Sequence, residues 1–230
     1  MQEQNVAPIE FANVTAAQRT NRVLRNTYLL LAISMIPTVV GAWFGVASGL
    51  SQTMLASPMI SLVVFLVGSF GFMYAIQRNN ESGLGVGLLL GFTFFMGVML
   101  SRLIGIVLGM KTGATLIGMS FAGTALIFFG MATLATAIKR DLSGLGKFLF
   151  IGAMITFFAM LVMVFFPVPA LMLALLVMML VIFSLYMMYD INQVVRGGET
   201  NYITATMQIY LDVYNVFSAL LSILGITNRE

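Results

Sequence analysis

The sequence predicts an all-α polytopic membrane protein of seven transmembrane helices, with the last helix surrounded by the other six. Three observations predict it. Of its 230 residues, 60% are hydrophobic and 8% are charged, against roughly 25% charged in an ordinary globular domain. The mean hydropathy is +1.02, which leaves too few polar residues to coat a water-facing surface. Apolar runs of spanning length also recur along the whole chain, each long enough to cross a hydrocarbon core of about 30 Å with about 20 residues.

The elements follow in order. A polar segment, residues 1–26, carries Arg19, Arg22 and Arg25 before the first apolar run. It lacks the early apolar stretch of a cleaved signal, so it is expected to be a retained cytosolic tail. Residues 27–230 form the transmembrane domain. The expected spans are Tyr28 to Leu50, Leu55 to Ile76, Ser82 to Ser101, Ala114 to Ala137, Phe148 to Phe166, Ala170 to Asp190, and Tyr202 to Leu224. The seventh contains Gln208, Asp212 and Asn215. Its apolar residues, among them Tyr210, Leu211, Val213, Val216, Phe217, Leu220 and Leu221, cover too much of the circumference for a surface helix. It is therefore expected to be wrapped by the others.

Arg19, Arg22, Arg25, Arg78, Lys139, Arg140, Lys147 and Arg196 fall on the N-terminal side of this arrangement, and Lys111, Arg229 and Arg102 on the other. By the positive-inside rule the N-terminus is cytoplasmic and the C-terminus lies outside. The same scatter of single cations excludes a continuous basic patch for nucleic acid. There is no Cys and no His, which excludes disulfides, thiol catalysis and thiolate metal sites and leaves proton sensing to carboxylates. The connections are short, so any chemistry sits inside the bundle. Gly83, Gly85 and Gly87, and Gly105 with Gly109 at GxxxG spacing, read as helix-packing positions. The 19 methionines read as core filling.

The acids within the spans resist a packing explanation. Asp190 ends the sixth run, seven residues before Gly197, and Asp212 lies eleven residues after Asn201, the last residue of the intervening turn. These are rises of about 10 and 16 Å, so the carboxyls of an antiparallel pair can meet. Two carboxyls sharing one site cannot both ionise cheaply, and one proton is held between them. Its loss would favour separation of the helices and leave an oxygen-lined site suited weakly to calcium. The alternative leaves Asp190 at the interfacial end of its helix and Asp212 hydrogen-bonded to a neighbouring hydroxyl or amide. Arg102, at the outer end of the third run, is expected to snorkel to the headgroups rather than to pair with the acids. Tyr186, Tyr189, Tyr210 and Tyr214, with Asn215, flank the acids as supporting polar groups or as packing residues.

The chain resembles the Bax inhibitor-1 family of membrane proteins, in its bacterial YccA-like branch. The resemblance is carried by Val23-Leu24-Arg25-Asn26-Thr27-Tyr28, Lys139-Arg140-Asp141-Leu142-Ser143, Gly197-Gly198-Glu199-Thr200-Asn201-Tyr202, Tyr210-Leu211-Asp212-Val213-Tyr214-Asn215-Val216-Phe217 and Leu221-Ser222-Ile223-Leu224-Gly225. It implies a seven-helix fold with a central last helix, and a paired-aspartate pH sensor, matching Asp190 and Asp212, in proteins described as pH-sensitive calcium leak channels. Calcium would be a permeant ion, with no cofactor. Some members also use an arginine on the second helix to engage the pair, and here the second span holds no basic residue. The branch is further associated with the membrane-bound protease FtsH, as substrate and modulator, for which the polar tail would serve as a grip. The resemblance places the protein in a bacterial inner membrane. No HExxH, GxSxG, P-loop or dinucleotide fingerprint occurs, so no enzymatic activity is expected.

Overall fold

A computed structural model describes residues 7–228 apart from 139 and 141, and the side chains of 7–17 and 143 are not described. Lys139, Asp141, Arg229 and the first six residues of the tail therefore lie outside the described residues. Eight helices follow one another: α1 Ala7–Ala47, α2 Leu50–Ala56, α3 Pro58–Arg78, α4 Gly83–Leu108, α5 Gly113–Ala137, α6 Ser143–Phe165, α7 Pro169–Val195 and α8 Tyr202–Thr227. All but the short α2 are long and apolar enough to cross a membrane. The chain is a multi-pass membrane protein. Its outward side chains include Trp43, Leu126 and Phe148, each more than two-thirds exposed, an apolar surface that only lipid covers.

Helix starts follow local chemistry. Pro58 and Pro169 open α3 and α7, where a missing N–H costs nothing and the fixed φ suits the first turn. Gly197, at φ +75°, ends α7 in the left-handed conformation, which glycine adopts without a Cβ penalty. Asn201 then caps α8, its side-chain oxygen accepting from the N–H groups of Ile203 and Thr204. Asn201 Nδ2 also donates to the Asn80 carbonyl, and Asn80 Nδ2 to Thr204 Oγ1. The first turn of α8 is thus tied to the α3–α4 hairpin.

Several expectations move. The polar segment ahead of the first span is helical from Ala7 and continuous with it, because nothing from Ala7 to Asn26 breaks a helix. The third span runs to Leu108, so Arg102 lies six residues inside α4 rather than at its end. The sixth runs to Val195, so Asp190 is interior to α7. A charge closes a run of hydropathy without closing a backbone ladder. Ser51 to Met54 is part of α2 rather than a loop.

The enclosure of α8 differs in detail from expectation. It packs against α1, α3, α4, α5 and α7, whereas α6 packs against α7 alone. From Tyr202 to Gly225 no residue of α8 is exposed. Helices α1 and α4 approach closely. A Cβ on Gly41 would meet the Phe94 carbonyl oxygen, one on Gly97 the Thr38 carbonyl oxygen, and one on Gly45 the Ser101 hydroxyl. Gly41 and Gly45 stand at GxxxG spacing, a signal the sequence offered. Of the glycines singled out from sequence, Gly85 and Gly105 do approach neighbours, while Gly83 and Gly87 face open space.

Candidate functional site

The turn between α7 and α8 sets the site. Gly197 reverses the chain and Asn201 restarts it, so α7 and α8 pack antiparallel along most of their length. Asp190, on the last third of α7, and Asp212, on the first half of α8, come together across this pair. Their carboxyls lie within electrostatic range of each other. Asp212 is 4% exposed, and its Oδ2 is buried without a hydrogen-bond partner. The register read from the sequence therefore does bring the two acids together.

The groups around the pair are few. Tyr186, one turn before Asp190, lies within electrostatic range of both carboxyls, and its ring packs edge-on against Tyr189. Glu199, in the turn, is a third acid within electrostatic range of Asp190. It was not singled out from sequence, although its place nine residues on, beyond a chain reversal, is the signal that would have found it. Glu199 itself accepts from the Asn201 backbone N–H at 2.7 Å.

Two flanking polar residues are engaged elsewhere. The Tyr210 hydroxyl bonds Thr38 Oγ1 at 2.9 Å and points to the Thr93 carbonyl at 3.4 Å, which ties α8 to α1 and α4. Asn215 Nδ2 donates to the Leu211 carbonyl of its own helix. Tyr214 stacks on Tyr210. Arg102 is half-buried, and its Nε is buried without a hydrogen-bond partner. It does not ion-pair with the acids. Asn192, one turn after Met188 on the same helix, donates to the Ala135 and Ile138 carbonyls; it closes the end of α5 and anchors α7 beside the site.

Among the described residues no group of three or more acidic side chains is placed to hold a metal ion. Calcium binds 6–8 oxygens, and two carboxylates supply at most four.

Residues 20–229 match the family described as Inhibitor of apoptosis-promoting Bax1. The chain belongs to that family, Bax1-I. An uncharacterized protein of Neisseria meningitidis serogroup A is 36% identical over 211 residues, covering 91% of this Bax1-I chain and 93% of the relative. A protein of Escherichia coli strain K12 named Modulator of FtsH protease YccA is 33% identical over 216 residues, 94% of this chain and 95% of its own. Its counterpart in Escherichia coli O6:H1, with the same identity and coverage, is named Inner membrane protein YccA.

Proposed function

We propose that this Bax1-I protein is a pH-sensitive calcium leak channel of a bacterial inner membrane, with Asp190 and Asp212 as the proton sensor on its cation pathway. The observation that carries this reading is the close approach of two acids at the α7–α8 seam, one of them buried with an oxygen unpartnered. A carboxyl–carboxyl contact persists only while a proton is shared. The sign follows. At low pH the pair is protonated and latches α7 to α8. As pH rises the proton leaves, two negative charges face each other in a low-dielectric seam, and their repulsion favours separation. The separated state exposes carboxylate oxygens to a passing cation. With the N-terminus cytoplasmic, as the distribution of cations suggests, the pair lies in the cytoplasmic half.

The test is calcium flux into proteoliposomes across pH 5 to 8, beside Asp190→Asn and Asp212→Asn. A leak that rises with pH and is flattened by either substitution is expected. No flux above empty liposomes, from protein shown to be folded and inserted, would discard the channel.

A second reading rests on the relative named Modulator of FtsH protease. The polar stretch before the first span, helical from Ala7, would then be the part a cytosolic protease grips. Deleting residues 1–17 separates the two: protease modulation is lost and conduction is retained.

A further inference from the structure

A cavity of about 630 Å³ opens at the end of the bundle away from the dyad turn, between α3 and α4 on one side and the ends of α6 and α7 on the other. Its volume lies in the range of about 300–1,000 Å³ typical of small-molecule sites. The helices that frame it do not close it, because α3 makes no contact with α6 or α7. The gap therefore faces sideways into the bilayer, and the rim residues Pro58, Val164, Pro167 and Pro169 are exposed.

The walls are apolar and deformable, with Met54, Met99, Met160, Met163 and Met172 among them. Unbranched thioether side chains adapt to an irregular occupant. One cation stands in this lining. Arg102 projects from α4 six residues before its C-terminal end, about 9 Å along the axis. Its Nε is buried with no hydrogen-bond partner, and no acidic side chain lines the cavity. The other cations of the framing helices, Arg78 on α3 and Lys147 on α6, sit at the opposite end of the bundle. Tyr214, from α8, also lines the cavity.

A guanidinium with a buried, unpaired N–H is costly. Planar, bidentate recognition of a phosphate is the chemistry that best satisfies it. A soluble anion would have to enter through a lateral, methionine-lined opening. A membrane lipid would supply both parts, an acyl chain for the methionines and a phosphate for Arg102.

We propose that this cavity binds one anionic phospholipid, the phosphate on Arg102 and an acyl chain along the methionines between α3 and α6–α7. The bound lipid fills the gap between helices that do not pack against one another, and it pairs the one cation of the cavity lining. The inference rests on the cavity and not on the dyad, so failure of the conduction reading leaves it standing.

Native mass spectrometry of the purified full chain tests it, with phosphatidylglycerol, phosphatidylcholine and inorganic phosphate as probes. One phosphatidylglycerol retained about tenfold more strongly than phosphatidylcholine is expected. Arg102→Gln should bring retention down to the phosphatidylcholine level. Met172→Trp, which fills the cavity and leaves the charge, should weaken both lipids, while Lys147→Gln should change nothing. Should Arg102→Gln melt early, Met172→Trp carries the test. Equal retention of the two lipids, retention unchanged in both cavity variants, or displacement of the lipid by inorganic phosphate alone would overturn the proposal.

Discussion

Helices α4 and α6 are both long, apolar and free of acidic residues, yet they are held in unlike ways. α4 packs against α1, α2, α3, α5 and α8, and α6 against α7 alone. The buried residues of α4 cover one broad face, among them Leu89, Phe92, Met96, Gly97, Leu100 and Val107. Those of α6 are Leu149, Thr156 and Met163, a single stripe at seven-residue spacing. In lipid, apolar side chains gain nothing by leaving the hydrocarbon for the protein, so hydrophobicity does not decide which helix is gripped. Small residues and hydrogen bonds decide it. Where Gly41, Gly45 and Gly97 let backbones meet, the bundle is tight; around α6, a cavity stays open.

The largest expected effect breaks the tight side. Gly97→Ala places a Cβ against the Thr38 carbonyl oxygen, a backbone atom that cannot rotate away. Overpacking of this kind costs about 1–3 kcal/mol, and the thermal midpoint of the purified protein should fall accordingly. A midpoint that does not move would mean that α1 and α4 are free to separate, and the contrast with α6 would vanish.

Tyr210→Phe sharpens the comparison at a smaller scale. It removes the hydroxyl that links α8 to Thr38 of α1 and Thr93 of α4 and leaves the ring contacts with Phe92 and Tyr214 in place. Interhelical hydrogen bonds in membranes contribute about 0.6 kcal/mol on average. A loss of that order in the thermal midpoint is expected, with the pH profile of calcium flux unchanged, since the hydroxyl bonds away from the dyad. A profile that shifts would instead make Tyr210 part of the sensor.

What could be read from the chain follows the same division. Span number and the meeting of Asp190 with Asp212 were legible because both depend on rise per residue and on a turn marked by Gly197 and Asn201. The interior positions of Arg102 and Asp190 were not, because hydropathy reports where apolar residues stop and backbone hydrogen bonding does not stop there. Hydropathy likewise gave no sign that α6 stands at the edge, since lipid and protein are equally good solvents for Phe148 and Phe158. The tight seam at Gly41-x-x-x-Gly45 was not singled out from sequence, and of the cluster Gly83, Gly85 and Gly87 that was, only Gly85 makes a close approach. From its spacing Tyr210 could be either a supporting polar group of the acids or a packing residue. Its helical direction, two residues before Asp212, turns it toward α1 and α4 instead.

The smallest effect is expected on the loose side, from the same chemical change made in α6. In Gly152→Ala the new Cβ would meet Ile182 Cδ1 at 3.1 Å, the far end of a side chain that can change rotamer. The contact costs a few tenths of a kcal/mol at most if Ile182 moves, and alanine in place of glycine favours the helix by about 0.8–1 kcal/mol in water. The two contributions oppose each other, so the thermal midpoint should stay level or rise slightly. Gly97→Ala and Gly152→Ala thus apply one methyl group to two helices of similar composition and read out only how each is held. An equal fall in both would show that α6 is seated as firmly as α4, and that the opening beside it is a packing feature rather than a site with room for a lipid chain.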